Sequence, residues 1–488
     1  MMDVNEGQNT VLWPALRPVV CAVALMALAG FAPAQAPNPT SASNPFFGSV
    51  TAGPATDQTL RLSLDEAIER GLKCNLGLKE AENDERSLHG QKNQAVQLFL
   101  PSITLSGGTG IYQHNLVAEG FNQGTIKKFA SLLGMSLTGF SPITKDDLTA
   151  GNLNYSQTIF SGPVIAAFKA AGAAENAAHF EKMSARGEVV QQVATAYLHA
   201  IAASSEVDNA RSRLRQAEAL AADVHARHEA GVAANLDELR AQVELRSEQQ
   251  SLTAAENAYE KNLILLKREI GIEPGQKIAL SDPAPYSELA AQTPAEVMTV
   301  AYKNRQDYQR VQNEAVEYKA INLAYRLQRL PTVSFNGYYG TATVNGAGTR
   351  GNFAAAGAVS VPLFREAGLR GDEDASRAQL RATQAELDDL RSAIELQVRS
   401  ALLDVDATQQ LVTVARSNRE LAARTVSDET DRVSAGVDDN LPLVTAQASL
   451  ASAESNLVES LYQYNVAKLA LARSAGVLEQ QYRDYIGR

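Results

Sequence analysis

The chain contains the same stretch twice. Residues 230 to 245 read AGVAANLDELRAQVEL and residues 435 to 450 read AGVDDNLPLVTAQASL, with Ala, Gly, Val, Asn, Leu, Ala, Gln and Leu at matched places. Gly436 follows Gly231 by 205 residues, whereas Pro331 of LPTVSFNGYYG follows Pro101 of LPSITLSGGTG by 230. Two copies of one unit therefore make up the chain. The first copy holds about 25 residues more, which the spacing places in the loop 114 to 150. Any fold for one copy must also pack against its twin.

Each copy passes through the same series of periods. LSLDEAIERGLKCN sets Leu64, Ala67, Ile68 and Leu72 on one helical face, with Ser63 and Glu66 spaced as a capping box. A second polar helix runs to Phe99 and ends before Pro101. SITLSGGTGIY then alternates, placing Ile103, Leu105 and Ile111 opposite Ser102, Thr104, Ser106 and Tyr112. GNLNYSQTIF does likewise with Leu153, Tyr155 and Ile159 against Asn152, Asn154, Ser156 and Thr158. This predicts a pair of strands.

Beyond Pro163 the period becomes that of a very long helix. Val193, Ala196, Ala200, Ala203, Val207, Ala210, Leu214, Ala217, Ala221 and Val224 recur alternately three and four apart, a heptad stripe. The small side chains require a close partner. Gly231 ends this helix and residues 236 to 270 return antiparallel. The second copy repeats the order, with a stripe at Ile394, Val398, Ala401, Val405, Thr408, Val412, Ala415, Ala422, Val426 and Val433, interrupted by Arg419 and Glu429.

Residues 19 to 32 form an apolar run of signal-peptide length, followed by Ala34-Gln35-Ala36. The expected organisation is a signal peptide at 1–36, a disordered or extended arm at 37–59 and a first repeat at 60–272. That repeat holds a β-hairpin at 102–160 and a coiled-coil hairpin at 163–270. A connector at 273–294 with Pro274, Pro283, Pro285 and Pro294 leads to a second repeat at 295–477, with a β-hairpin at 332–361 and a coiled-coil hairpin at 365–475. A C-terminal tail at 478–488 completes the chain.

Composition excludes several classes of function. A net charge of −11 makes nucleic acid a poor partner, since phosphate contacts need clustered Lys and Arg. Cys21 lies in the leader and follows Val20, which argues against a lipid anchor. Cys74 is then alone, so neither an internal disulfide nor a thiolate metal site is available. Neither a catalytic Ser/His/Asp set nor a phosphate-binding glycine loop occurs, so neither enzyme chemistry nor a cofactor is expected. His225, His228 and Glu229 share a helix end, where a metal site competes with an ordinary hydrated terminus.

No later stretch offers 18 consecutive apolar residues, so a membrane crossing would have to be a β-barrel. Each strand has a spanning length of about 10 residues. Four strands cannot close a barrel alone; two chains would give roughly 8 strands and three roughly 12. The coiled-coil hairpins would continue such a barrel as a helical tube, and the expected function is conduction through a shared pore. A surface coiled-coil adhesin explains export and heptads but not strand pairs repeated at the same place. A periplasmic adaptor would carry one hairpin and a β-rich remainder.

LSLDEAIERGLKCN, LP before a small-residue strand, IFSGP at 159 to 163, PLFREAG at 362 to 368 and the twin AGV-x-x-NL segments together resemble the outer membrane efflux proteins, the TolC-like channels. The resemblance spans about residues 60 to 477. It implies a mainly α fold with membrane β: long antiparallel coiled-coil hairpins forming an α-barrel tunnel, and four strands per chain in a shared trimeric barrel of about 12 strands. It further implies a homotrimer in the outer membrane of a Gram-negative-type bacterium, with contact to outer membrane lipid. A periplasmic adaptor and an inner-membrane pump of RND, ABC or MFS type are the implied partners.

In that family the hairpin tips form the periplasmic entrance and the adaptor contact, which here means Gly231, Val232, Gly436 and Val437. The family's aspartate ring, set after the second tip, is missing: Pro442 and Thr445 stand six and nine residues after Gly436. Candidate entrance charges are instead Asp438 and Asp439, with Asp237 and Glu238 in the first copy. The bland alternative is a solvated acidic turn. Tyr112, Tyr155, Tyr338 and Tyr339 are candidates for an interfacial aromatic girdle. With 6 methionines and no mature N-terminal cysteine, nothing marks a copper or silver specialist.

Overall fold

The computed structural model describes residues 44 to 487 apart from 52, 116, 119, 121, 122, 135–142, 284 and 436–439. The expected signal peptide and the second hairpin tip, with Gly436, Val437, Asp438 and Asp439, lie outside the described residues.

The described part of the arm is extended but tied down. Asn44 caps a 3-10 turn at Pro45–Phe47, Val50 donates its amide to the Cys74 carbonyl, and Asn75 Nδ2 donates to the Phe46 carbonyl. A lack of period in the sequence reads as disorder, yet backbone groups and one aromatic ring suffice to dock it. A strand β1 (Leu60–Leu62) then pairs in parallel with β4 (Ile278–Leu280). The connector is therefore part of the folded body: it returns the chain beside its own start.

Between these lie α1 (Leu64–Cys74), α2 (Leu76–Gln97), β2 (Ser102–Asn115), α3 (Gln123–Leu132), β3 (Ile143–Phe160), α4 (Gly162–Glu229) and α5 (Asn235–Glu269). After the connector come α6 (Pro294–Asn304), α7 (Gln306–Leu327), β5 (Thr332–Val344), β6 (Arg350–Ser360), α8 (Glu366–Ser434), α9 (Asn440–Ser474) and α10 (Leu478–Ile486). The expected capping box forms: Ser63 Oγ accepts from the Glu66 amide while Glu66 takes the Ser63 amide. Thr293 and Glu296 repeat it at the start of α6.

Two differences from the sequence reading are physical rather than marginal. Strand β3 starts at Ile143, not near residue 151, because Ile143 to Ala150 pair with Gly108 to Asn115 despite carrying Lys145, Asp146 and Asp147. The tail beyond residue 477 is a helix, α10, that buries Leu478, Tyr482, Tyr485 and Ile486 in the core.

At 68 and 69 residues, α4 and α8 are each about 100 Å long. The heptad stripe of α4 is inward along its length: Val193, Ala200, Val207, Ala210, Ala217 and Val224 are buried and the other four half-buried. In α8, Ile394, Val398, Ala401, Val405, Val412, Ala415 and Val433 are buried likewise. The main core lies midway, where α4, α6, α8, α9 and α10 surround Val189, Tyr197, Ile394, Tyr464 and Leu471. Tyr197 is fully buried, and its hydroxyl meets the Leu62 carbonyl and Asp282 Oδ2, both at 2.9 Å, so its burial leaves no polar cost.

Candidate channel wall and hairpin tip

The larger sheet has the order β2-β3-β5-β6, antiparallel throughout. Leu105, Leu153, Tyr339 and Phe353 face one another across all four strands. They are respectively 82%, 49%, 69% and 76% exposed, an apolar row on an open face. One step along, Ser106, Asn152, Gly340 and Asn352 form the matching row on the opposite face. A Cβ at Gly340 would overlap Asn152 Oδ1 and the Gly151 carbonyl, so glycine there permits the close approach of β3. The sheet is thus apolar on one side and amide- and hydroxyl-rich on the other.

Register sorts the four tyrosines. Tyr155 and Tyr339 sit on the apolar face, Tyr155 with its ring 5.8 Å from Phe335. Tyr338 is aligned with Asn154 and Thr104, and the Tyr112 ring lies over Gly110, so both belong to the polar face. Of the four, only Tyr155 and Tyr339 share the apolar face. Within the described sheet, β2 and β6 each pair on one side only.

At the far end of α4 the chain turns through a Schellman motif. Gly231 adopts φ of +73°, its amide donates to the His228 carbonyl at 2.8 Å and the Val232 amide to Arg227 at 2.9 Å. Nothing crowds Gly231, so the positive φ is the reason for glycine. Val232, Leu236, Leu239 and Val243 form an exposed apolar stripe leading away from the turn. Arg227 Nη1 donates to the Val433 carbonyl at 3.3 Å, which joins the first tip to the end of α8.

The acidic residues at this turn are engaged. Asp237 Oδ1 lies 3.6 Å from Arg240. Glu238, at the start of α5, meets His225 Nδ1 at 2.8 Å and stands 3.6 Å from His228 Nε2, while Glu229 is 3.6 Å from His225. The Glu238 carboxylate, followed by that of Glu229, holds the His225 imidazolium above its ordinary pKa. Among the described residues no group of His, Cys, Asp and Glu is arranged to hold a metal ion. Sequence reading grouped His225 with Glu229 by helical spacing and missed Glu238, 13 positions away, because only the turn brings it back.

No described helix is long and apolar enough to cross a membrane, whereas the four strands, of 11 to 18 residues, exceed the length a tilted span needs. The architecture is thus an amphipathic sheet with two unpaired edges, joined to two helical hairpins whose longer helices run about 100 Å. The family model for outer membrane efflux proteins matches residues 67–271 and 301–477, one match per repeat, and the chain belongs to that family. Its function is that of an outer membrane channel for efflux, and its family and fold are those of channels rather than enzymes.

Solved structures agree in fold. The chain is similar to a membrane protein from Pseudomonas aeruginosa at 19% identity and a TM-score of 0.72, covering 88% of this chain and 98% of that one. It is similar to the CmeC outer membrane channel of Campylobacter jejuni at 14% identity and a TM-score of 0.69, covering 91% and 94%. The outer membrane protein VceC of Vibrio cholerae matches at 18% identity and a TM-score of 0.68, covering 85% and 96%. Comparison with curated protein sequences gives no match.

Proposed function

We propose that three copies of the chain close one barrel of about 12 strands in the outer membrane, with their helical hairpins forming a passive periplasmic tunnel. The observation that carries this reading is the four-stranded sheet, apolar on one face, polar on the other and unpaired along β2 and β6. Unpaired strand edges are not tolerated in lipid, so each edge calls for the opposite edge of a neighbour. The second support is on α8, where Leu396, Leu403, Leu411, Val414 and Leu421 lie exposed on one flank. A neighbouring copy is the occupant that fits, because the same joining of edges brings the hairpins of adjacent copies side by side.

The tips around Gly231, Val232, Gly436 and Val437 face the periplasmic adaptor, with the exposed stripe from Val232 to Val243 as the apolar surface offered to it. Energy comes from an inner-membrane pump of RND, ABC or MFS type. Asp438 and Asp439 converge from three copies as the charge of the entrance, in place of the family's usual ring. Asp237 and Glu238 contribute less field, being offset by Arg240 and His225.

The test is conductance across a planar bilayer holding the purified channel. The reading expects cation-selective steps whose selectivity drops in an Asp438→Asn, Asp439→Asn variant. Steps of unchanged selectivity would remove the aspartates from the entrance, and no conductance at all would remove the pore.

A further inference from the structure

The first tip carries a feature that its twin lacks. Glu238 reaches back from α5 to two histidines of α4, its Oε1 lying 2.8 Å from His225 Nδ1 and its Oε2 3.6 Å from His228 Nε2. His228 Nδ1 is in turn 3.1 Å from the Ala233 carbonyl, inside the turn itself. Gln242 Nε2 adds a donor to the same Glu238 oxygen at 3.2 Å. One carboxylate, only 14% exposed, thus ties both sides of the hairpin across its end. The positions of His225, His228 and Glu238 in the second copy, again 205 residues on, are Thr430, Val433 and Leu443, which cannot form such a tie.

We infer that His225, His228 and Glu238 form a proton-operated clasp that fixes the first tip in acid and releases it at alkaline pH. The charged groups facing the His225 imidazole are Glu238 from α5 and Glu229 from its own helix, both attractive. Other charges at the tip are spent elsewhere: Asp223 takes Arg227 at 2.9 Å, Asp237 takes Arg240, and α8 offers the Val433 carbonyl to Arg227. The second imidazole on Glu238 is that of His228, which meets the other carboxylate oxygen at 3.6 Å.

The direction follows from linkage. His225 is held above the ordinary imidazole value of 6.5, so the clasp contributes fully below that value and is lost as pH rises through the raised one. The backbone most affected is the turn, where the Val232 and Ala233 amides donate to the Arg227 carbonyl at 2.9 and 3.2 Å. Loosening that turn changes how Val232 and Leu236 are presented.

This deepens the reading of the tips as the adaptor-facing end and is tested on the channel alone, so a failed adaptor interaction leaves the result standing. Hydrogen exchange is measured on the detergent-solubilised full channel at about pH 5.5 and 8.5, corrected for intrinsic rates. The expected result is that protection of Val232 and Ala233 falls severalfold at the higher pH. Glu238→Gln should remove the difference by lowering protection at the lower pH. His225→Lys, whose charge persists at both values, should keep protection at the higher one. Equal protection at both values in the unaltered channel, or a pH difference that survives Glu238→Gln, would overturn the clasp. Protection at α4 residues 189 to 201 serves as the folding control for both variants.

Discussion

The two long helices come from the same repeated unit but live in different surroundings. α4 packs on α1, α2, α5, α7, α9 and α10, whereas α8 packs on α6, α7 and α9 and leaves a flank open. That flank differs at four of its five positions, Leu403 matching Leu198. Leu396, Leu411, Val414 and Leu421 of α8, all more than half exposed, match Gln191, Glu206, Asn209 and Gln216 of α4. Glu206 is used within the chain, accepting from Arg213 and from Ser455 of α9. Meanwhile the heptad stripes are alike, Val193 matching Val398 and Val207 matching Val412, all buried. Duplication kept the seam inside each hairpin and changed the outer face, making it apolar where the chain itself supplies no cover.

Exchange of that flank breaks the comparison most sharply. Leu411→Glu with Leu421→Gln gives α8 the residues that α4 carries, and should cost roughly 3–5 kcal/mol per buried charge at the subunit contact. Native electrophoresis in detergent should then show single chains. Gln216→Asp on α4 should leave the assembly intact.

The shared seam predicts equal effects. Val193→Ala and Val398→Ala each remove methyl groups from fully buried sites and should each lower stability by about 2 kcal/mol, read from thermal unfolding. A large effect in one copy only would deny that the two hairpins are the same coiled coil.

A second difference is electrostatic. Glu269 on α5 is almost fully buried, and burial pushes its carboxyl up to about 7 despite a hydrogen bond from Gln192 at 3.1 Å. Its match in the second copy is Ser474. With the folded pKa raised, the protonated form is favoured by folding, and that advantage is lost as pH climbs from 4.5 to about 7. Glu269→Gln should therefore gain about 3 kcal/mol at pH 8 and nothing at pH 4. Denaturation at the two pH values reads the sign directly.

The smallest effect belongs to the outer charges of α8. Arg424 and Glu420 form an i, i+4 pair at 69% and 64% side-chain exposure, so Arg424→Ala should change stability by less than about 0.5 kcal/mol.

Much of this was legible because periodicity is a local signal. The stripes of α4 and α8, the Ser63 capping box and the alternation of β2 follow from spacing alone. What escaped depended on partners distant in sequence. The start of β3 reads as a loop because Lys145, Asp146 and Asp147 are polar, and only β2 makes it a strand. The pairing of β1 with β4 involves three residues on each side, too few to carry a pattern. The contact of Glu238 with His225 escaped because only the Gly231 turn brings the two together. The exposed row of α8 was present as apolar residues seven apart, Leu396 and Leu403 or Val414 and Leu421, but a single heptad seam already explains a long helix and hides a second.

The central claim, a barrel shared between copies, is tested most directly by the light-scattering mass of the mature protein extracted from membranes. A particle of three chains that needs detergent to stay in solution is the predicted result. A single chain or a pair, soluble without detergent, would contradict the shared barrel and leave the apolar row from Leu105 to Phe353 without a membrane to face.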